Sequence, residues 1–417
     1  MCVERYIGLR PIDVALPKKT RFLQPPNIAG MWLTTVFSMV LMMPGSSSAS
    51  GTLSPLTCDG QWHTVRAVDA TKDYGDFNSL NAVAALSSTD VWAVGQFRIY
   101  AQNDYDQPLA EHWNGTKWKV IPTPTPSKPI DILWGAAAIS SDDAWAVGYE
   151  RDVGSGYYTL IEHWDGNHWT IVQDATYQGW LTSVAAVSSN DVWAVGSTDY
   201  VGNGLIEHWD GTTWTEMTLR SPSFLRAVTA ISQNDVWAVG QKPRNGDGDH
   251  TYAVHFDGTG WSHVHTPSPL RQHDIDQNWL TSVTALATGD IWTVGVMRDP
   301  DYGILDRTLT EHWDGNQWSV VHSPRLGHDV GNDFWAATAL TSKDVWSVGS
   351  VGNDPDFHSL SEQWDGTSWS RIKTDSSGVL LGLAGVSSTP ELWSVGNRVK
   401  HNLYTGTLAE HLCPASK

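Results

Sequence analysis

The stretch LTSVAAVSSNDVWAVGSTDYVGNGLIEHWDGTTW, residues 181–214, holds one complete copy of a pattern that fills most of this 417-residue chain. Its central phrase, VWAVG, recurs with small changes, and the other copies begin at Val91, Ala144, Val236, Ile291, Val345 and Leu392. Its closing phrase, EHWDGTTW, has counterparts that begin at Glu111, Glu162, Val254, Glu311 and Glu362. The tryptophans of successive central phrases are 44 to 55 residues apart. A repeat of this length is typical of β-propellers, in which each repeat forms one blade.

Each copy predicts four short strands. In residues 181–214, an apolar segment rich in small residues comes first and is followed by the polar turn SSND. The second strand is VWAVG, because β-branched and aromatic residues favour strands and the glycine ends the segment. The third strand runs into Glu-His-Trp, Asp-Gly makes a tight hairpin, and the fourth strand begins at Trp214. Because residues 51–417 contain no helical periodicity longer than a turn, we expect an all-β fold with four antiparallel strands per blade.

The two ends of the chain share the last repeat. The seventh closing phrase stops at EHLC, residues 410–413, and its missing half, CDGQWHTV, stands at residues 58–65. We therefore expect seven blades, with the ring closed by the N-terminal strand that completes the last blade, which removes exposed sheet edges. In this register Cys58 and Cys413 meet at the interrupted hairpin. The sequence therefore predicts a Cys58–Cys413 disulfide in an oxidising compartment.

The N-terminal residues have the pattern of a secretory leader. Lys18, Lys19 and Arg21 precede an apolar run over 28–43 and a small-residue stretch over 46–51. We predict a signal peptide, or an uncleaved N-terminal membrane anchor, over 1–50 and a single propeller over 51–417, so that the protein is secreted or held at the cell surface.

The charge balance narrows the range of partners. The net charge is -19, and removal of 1–50 takes away five of 26 basic and two of 45 acidic residues, which leaves -22. Such an acidic chain does not favour nucleic acid as a partner. We expect a monomer.

Most of the chemically reactive residue types are explained by the repeat. A histidine stands at one register in six copies, at His112, His163, His208, His255, His312 and His411, and Gln363 takes the place in the other. Residues distributed around a ring cannot converge on one metal ion, so we interpret these histidines as inter-strand hydrogen-bonding residues. The preceding glutamate is also repeated, which argues against a single acid/base pair. Nineteen of 24 tryptophans recur as packing residues.

Ligand-binding candidates are the residues that the repeat leaves over. Four tryptophans stand at the entrance to first strands: Trp134, Trp180, Trp279 and Trp335. The connections between second and third strands and between blades vary in length, and variable loops on a rigid repeat are where binding surfaces are built. We add Tyr105, Tyr158, Tyr302 and Arg226 from this face as candidate ligand contacts. Aromatic and planar hydrogen-bonding groups suit a glycan or a protein ligand equally.

Paired aspartates in the variable loops are candidate ligands for calcium. An Asp-x-Asp pair recurs in four loops: Asp104 and Asp106, Asp247 and Asp249, Asp299 and Asp301, and Asp354 and Asp356. On an extended segment both carboxylates point to one side and suit Ca²⁺, although none matches a full calcium loop. The alternative is a set of solvated acidic loop tips. No other cofactor is expected.

The repeated phrases resemble two groups of propeller. The order VWAVG followed by HWDGxxW is similar to kelch or galactose-oxidase-type repeats and to the Asp-box repeat of sialidase-like proteins, among secreted bacterial-type propellers. Strand 2 ends in one glycine where kelch repeats have two, and the hairpin reads Asp-Gly where an Asp box separates these residues. The copper site of galactose oxidase needs a Tyr–Cys crosslink, but both cysteines of 51–417 serve closure. No flanking motif marks a sialidase arginine triad.

The sequence therefore favours a non-catalytic propeller that binds a glycan or an extracellular protein through its variable loops, with no catalytic residues assigned. Two alternatives stay open: a carbohydrate-active enzyme, of glycosidase or sialidase type, with its site at the channel mouth, and a purely structural or adhesion module.

Overall fold

The structure is a computed structural model, and it describes the chain from Cys58 to Pro414 with several gaps in the loops. The described residues are 58–71, 76–99, 105–124, 128–152, 156–198, 202–243, 248–270, 277–299, 305–324, 326, 330–353, 356–374, 376–386, 389–400 and 403–414. All of them belong to one unit, Pro55–Lys417. Within these ranges the chain forms strands and turns, and there is no helix long and apolar enough to cross a membrane.

The described part of the chain contains twenty-eight strands, which form five four-stranded sheets and one eight-stranded sheet. We divide the eight-stranded sheet into two groups of four and call the seven groups sheets 1 to 7. Sheet 1 contains β2 (Phe77–Ser87), β3 (Asp90–Arg98), β4 (Asp106–Trp113) and β5 (Trp118–Ile121). Sheet 2 contains β6 (Ile130–Ser140), β7 (Asp143–Arg151), β8 (Tyr157–Trp164) and β9 (Trp169–Gln178). Sheet 3 contains β10 (Trp180–Ser188), β11 (Asp191–Ser197), β12 (Asn203–Trp209) and β13 (Trp214–Pro222). Sheet 4 contains β14 (Phe224–Ser232), β15 (Asp235–Pro243), β16 (Asp249–Phe256) and β17 (Trp261–Val264).

The remaining sheets follow the same order, except that the last one takes its outer strand from the other end of the chain. Sheet 5 contains β18 (Gln277–Ala287), β19 (Asp290–Asp299), β20 (Leu305–Trp313) and β21 (Trp318–Val320). Sheet 6 contains β22 (Gly331–Thr341), β23 (Asp344–Asn353), β24 (Asp356–Trp364) and β25 (Trp369–Ile372). Sheet 7 contains β26 (Gly378–Gly385), β27 (Leu392–Lys400), β28 (Leu403–Leu412) and β1 (Trp62–Val65).

In sheets 1 to 6, neighbouring strands pair antiparallel in chain order, and in sheet 7 the order is β26, β27, β28 and β1. Sheets 4 and 5 are also joined by one parallel bridge, between Asp249 and Gln277. The predicted all-β fold with four antiparallel strands per repeat agrees with these pairings. The first strands are longer than the apolar segments alone suggested, since β2 begins at Phe77 rather than at Leu80.

The core lies between the sheets and is built mainly from the repeated tryptophans. In sheet 1, Trp92 contacts Trp164 and Trp169 of sheet 2, with ring centroids 4.9 and 5.1 Å apart. Equivalent ring contacts join the other successive sheets. Trp393 of sheet 7 contacts Trp113 and Trp118 of sheet 1, with ring centroids 5.1 and 5.5 Å apart. These contacts confirm that the repeated tryptophans pack between sheets.

The first strands of successive sheets are also neighbours, and β26 of sheet 7 contacts β2 of sheet 1. A Cβ atom on Gly135 would lie 2.9 Å from Cα of Ser183 in the next first strand, and one on Gly382 would lie 3.0 Å from Cα of Ala82. Small residues at this position therefore allow the first strands to approach closely.

The predicted disulfide is present. Cys58 and Cys413 are joined with an S–S distance of 1.99 Å, and the backbone N–H of Gly60 donates to the carbonyl of Cys413 at 3.0 Å. β1 pairs with β28 in the register His63 to His411, so the N-terminal segment completes sheet 7 as expected. The indole nitrogen of Trp62 donates to Ser361 Oγ in sheet 6 at 3.0 Å, which ties β1 to the neighbouring sheet.

Candidate functional site

The short turns at one end of the sheets are nearly identical, and we call this end the turn end. In sheet 2, Asp165 Oδ1 accepts hydrogen bonds from the backbone N–H groups of Asn167 and His168, both at 2.8 Å. Gly166 has φ of +91°, a conformation that glycine adopts without steric cost. Equivalent positive-φ glycines follow in other sheets, at Gly115, Gly211, Gly258, Gly315 and Gly366. The turn end therefore repeats one small surface.

The recurring histidines stabilise the turn end. His112 Nε2 lies 2.8 Å from Asp90 Oδ1, and its ring centroid is 4.5 Å from that of Trp92. The same histidine–aspartate hydrogen bond joins His163 to Asp143, His208 to Asp191, His255 to Asp235 and His312 to Asp290. In sheet 6, Gln363 Nε2 donates to Asp344 Oδ1 at 2.8 Å. In sheet 7, His411 Nε2 lies 3.1 Å from Glu391 Oε2 instead. These bonds confirm the interpretation of the histidines as hydrogen-bonding residues.

The opposite end, where the connections vary, is the loop end. Near it every first strand contains a β-bulge, an extra residue without a cross-strand partner. The bulge residues are Asn81, Trp134, Thr182, Arg226, Thr281, Trp335 and Leu381. Trp134 and Trp335 are half-buried, whereas the preceding residues Leu133 and Phe334 are 0 % exposed. Two of the four candidate tryptophans thus occupy equivalent, accessible positions in sheets 2 and 6.

The other two candidate tryptophans stand at a different register and are buried. Trp180 and Trp279 come one residue before the buried Leu181 and Leu280, and they are 7 % and 3 % exposed. The ring of Trp180 packs against Tyr157, at 5.4 Å between centroids. Trp279 lies under the guanidinium of Arg298, with Cζ 5.3 Å from the ring centroid. The structure therefore places Trp180 and Trp279 in the packing beneath the loop end.

Arg226 is the charged residue among the bulge positions. Its Nε donates to Gln241 Oε1 at 2.5 Å. The buried Asp249 belongs to the same group: burial raises the pKa of its carboxyl to about 6, while the positive charge of Arg226 and a hydrogen bond from Gln241 oppose that rise. Arg226, Gln241 and Asp249 form a polar network on sheet 4.

The three candidate tyrosines are not equally placed. Tyr105 is half-buried just before β4 in sheet 1. Tyr158 lies on β8 in sheet 2, with Lys128 Nζ 5.8 Å from its ring centroid. Tyr302 lies outside the described residues.

The described residues cover only part of the predicted calcium pairs. Asp104, Asp247, Asp301 and Asp354 lie outside the described residues, and the side chains of Asp299 and Asp356 are not described. Asp106 binds Arg98 in a bidentate ion pair, with Nε and Nη2 at 2.9 and 2.7 Å. Among the described side chains, no group of three or more His, Cys, Asp or Glu is arranged to hold a metal ion. The calcium prediction therefore stays a prediction.

One polar cluster between sheets 5 and 6 was not singled out by the sequence reasoning. Arg298 binds Asp306 through Nε at 2.5 Å and Nη2 at 2.7 Å. Asp333 on β22 is buried and accepts hydrogen bonds from Ser350, at 3.0 Å from N and 2.6 Å from Oγ. Burial raises the pKa of Asp333 to about 7, and the negative charge of Asp306 adds to this rise. The sequence contains one signal for this cluster. An arginine stands six residues after the second-strand tryptophan in three repeats, at Arg98, Arg151 and Arg298.

These arginines have partners on their own sheets. Arg98 binds Asp106, Arg298 binds Asp306, and Arg151 Nη1 donates to the hydroxyl of Tyr157 at 2.8 Å.

The repeated glutamates of the third strands are completely buried. Burial raises the pKa of Glu111, Glu162 and Glu362 to about 8 and that of Glu311 well above its usual value.

A cleft of about 260 Å³ opens at the outer edge of sheet 5, where β21 is short. Met297, Leu309 and Val321 form its apolar wall, and Arg307, Thr308 and Asn332 are among its polar residues. Thr308 Oγ1 is hydrogen-bonded to Ser323 Oγ at 2.6 Å, and Asn332 Nδ2 donates to Thr308 Oγ1 at 3.3 Å. These bonds tie β20 to the linker and to the next sheet.

Comparison with known proteins gives a fold but no family. No family model matches the chain, and no curated protein matches it. Among solved structures, YCF48 bound to D1 peptide is similar with a TM-score of 0.53 and 14 % identity, covering 86 % of this chain and 97 % of that one. The WD40 β-propeller domain of Doa1 is similar with a TM-score of 0.50 and 12 % identity, covering 84 % of this chain and 96 % of that one. Together with the repeated four-stranded sheets, these similarities show that the chain is a β-propeller.

Proposed function

We propose that this protein is a secreted or cell-surface, non-catalytic β-propeller of seven blades, whose loop end binds a protein ligand. Sheets 1 to 7 would be the blades, and the packing of Trp393 against Trp113 and Trp118 supports closure between the last blade and the first. The disulfide and the pairing of β1 with β28 then hold the ring shut.

The observation that carries the binding function is the difference between the two ends of the sheets. The turn end repeats one hydrogen-bonded turn, so it offers no distinct surface. The loop end combines connections of different length and sequence with half-buried Trp134 and Trp335. Ligand sites are built where variable segments stand on a rigid scaffold, and accessible tryptophans are frequent binding hot spots.

A protein ligand is favoured over a glycan by the comparison with solved structures. The YCF48 structure contains a D1 peptide, which demonstrates peptide binding for a protein of the same fold. A glycan remains the second ligand class, because indole faces also stack on sugar rings.

An enzyme is the second candidate function, and it rests on Asp333. A buried carboxyl with a pKa of about 7, close to the Arg298–Asp306 ion pair, has the properties of a general acid. The non-catalytic function is favoured because Arg98, Arg151 and Arg298 are each engaged on their own sheet, rather than converging on one substrate carboxylate.

A paired binding screen tests the proposed function. The full chain is applied to a peptide array and to a glycan array, each with calcium and with a chelator, and the bound glycans are assayed for release of reducing ends or sialic acid. We expect specific peptide binding without turnover. Turnover that Asp333→Asn abolishes would establish the enzyme instead, and glycan binding without peptide binding would contradict the protein ligand. Binding to neither array would favour the structural or adhesion module.

The location of the protein is a separate part of the proposal. If the leader over 1–50 is cleaved, the protein recovered from the medium has the mass of a chain that begins near residue 51. An uncleaved chain that stays with the membrane fraction would indicate an anchor, and a chain confined to the cytoplasm would contradict secretion.

A further inference from the structure

The seven bulge residues fall into two groups, and the first group links neighbouring sheets. Asn81 Nδ2 donates to the carbonyl of Leu133 at 2.9 Å. Thr182 Oγ1 donates to the carbonyl of Leu225 at 3.0 Å, and Thr281 Oγ1 donates to the carbonyl of Phe334 at 2.8 Å. In sheets 1, 3 and 5 the bulge side chain is therefore small and polar and bonds to the first strand of the following sheet.

The second group has larger side chains, which are partly exposed to solvent. In sheets 2, 4, 6 and 7 the bulge residues are Trp134, Arg226, Trp335 and Leu381, and all four are half-buried. They alternate with the small group from sheet 1 to sheet 6. Because each first strand is the edge strand of its sheet and successive first strands are neighbours, these four side chains lie along one set of adjoining edges.

We propose that Trp134, Arg226, Trp335 and Leu381 form one contact surface, and that this surface binds a bulky apolar or aromatic side chain of an extended peptide. This inference rests on the proposed function, since it names the ligand chemistry and the residues that select it. Three of the four side chains are an indole or a branched aliphatic group, and a ligand that covers such apolar surface gains affinity.

The polar groups at this level explain why a peptide side chain fits better than a sugar. Sugar hydroxyls require several converging hydrogen-bond partners. The side chains of Asn81, Thr182 and Thr281 already donate to the neighbouring first strands. The Arg226 guanidinium donates to Gln241 and stands near the carboxyl of Asp249. The surface therefore offers mainly apolar and aromatic contacts.

A selection with random peptides tests this inference. The full chain is immobilised and used to select binders from a phage-displayed dodecapeptide library, and the selected peptides are synthesised. We expect them to share a Trp, Phe or Leu. We also expect the double variant Trp134→Ala/Trp335→Ala to bind them at least about tenfold more weakly than the unmodified protein. The control Val120→Ala/Val172→Ala removes exposed apolar side chains from the outer strands of sheets 1 and 2, and we expect it to bind normally.

A second readout does not depend on the stability of the alanine variants. In protein labelled with 5-fluorotryptophan, Trp134→Phe and Trp335→Phe assign two fluorine signals, and we expect a selected peptide to shift both. Peptides that bind the double variant with undiminished affinity, or that leave both signals unmoved, overturn the contact surface but leave peptide binding intact. A library without any specific binder overturns this inference and the protein ligand together.

Discussion

At the scale of single residues, the buried glutamates show how a repeat tolerates an unfavourable group. The backbone N–H of Val68 donates to Glu111 Oε2 at 3.0 Å. At the position equivalent to Val68, the linkers before sheets 2, 5 and 6 carry Pro124, Pro267 and Pro324, which have no N–H. The corresponding glutamates lack a hydrogen-bond partner for either carboxylate oxygen: Glu162, Glu311 and Glu362.

Because these glutamates are buried, we expect the protein to be less stable at higher pH. Burial raises the pKa of Glu162 from 4.5 to about 8, and the charge of Asp131 adds to the rise. The folded protein therefore holds a proton on Glu162 that the unfolded chain releases, so the stability contributed by this group is fully present below pH 4.5 and is lost as pH rises to 8. The upper limit for this group is about 1.4 kcal/mol per pH unit. We expect Glu162→Gln to raise the melting temperature at pH 8 and to leave it nearly unchanged at pH 4.5.

The control for this prediction is Glu216→Gln, on the outer strand β13, where the side chain is only half-buried. Thermal unfolding of both variants and of the unmodified protein is followed at several pH values between 4.5 and 8. A stabilisation by Glu162→Gln that does not grow with pH would contradict the proposed ionisation. Val254, which stands at the glutamate register in sheet 4, indicates that an uncharged residue is tolerated there.

A second prediction at this scale concerns the histidines. Gln363 makes the same bond to aspartate that His312 makes to Asp290, at 2.8 Å in both cases. We therefore expect His312→Gln to cost less than about 1 kcal/mol. We expect His312→Ala to cost about 1–3 kcal/mol, because it leaves the Asp290 carboxylate without this partner and removes the ring packed on Trp292. Chemical denaturation measures both values, and equal losses would argue against the hydrogen bond.

At the scale of the elements, the close approach of the first strands depends on small residues. An added Cβ on Gly135 meets Cα of Ser183 at 2.9 Å and N of Val184 at 3.0 Å, and backbone atoms cannot move aside without shifting the strand. We expect Gly135→Ala to destabilise the protein by about 1–3 kcal/mol. The matched control is Gly260→Ala, since an added Cβ there meets no atom within 4 Å. Denaturant unfolding compares the two, and a Gly135→Ala variant as stable as the control would show that the strands separate easily.

The sequence predicted the elements well because they are set by local, repeated signals. The aligned repeat predicts the strands, the hairpin glycines, the packing tryptophans and the pairing of β1 with β28. The candidate site was predicted less well. Trp134 follows the buried Leu133, whereas Trp180 precedes the buried Leu181, and this shift of one residue separates an accessible bulge from the packed interior. A bulge is created by pairing with the neighbouring strand, so composition alone does not reveal it.

The polar clusters were missed for a different reason. Asp333 and Arg298 are about 35 positions apart along the chain, and only the packing of sheet 6 against sheet 5 brings their charges close enough to interact. An alignment of the seven first strands on their buried residue places Leu133 opposite Phe334. In that alignment the equivalence of Trp134 and Trp335 is visible in the sequence.

At the scale of the whole molecule, the disulfide joins residues that are 355 positions apart. A crosslink that closes so long a loop removes much of the freedom of the unfolded chain, with a typical effect of about 2–4 kcal/mol. We expect Cys58→Ser/Cys413→Ser to lower the melting temperature and reductant to do the same to the unmodified protein. Alkylation without reductant, followed by mass analysis, is expected to find neither cysteine labelled. Labelling of both would contradict the disulfide in the isolated protein.

Because sheet 7 takes its outer strand from residues 62–65 and its other strands from residues 378–412, the two parts are made at opposite ends of synthesis. β1 emerges from the ribosome early and has no partner until nearly the whole chain has followed. Sheets 1 to 6 can pair their own strands during that time, since each is continuous in the sequence. The last joining event in folding is then expected to be the docking of β1, and a chain cut short before residue 403 leaves an unpaired strand at one end and an open edge at the other.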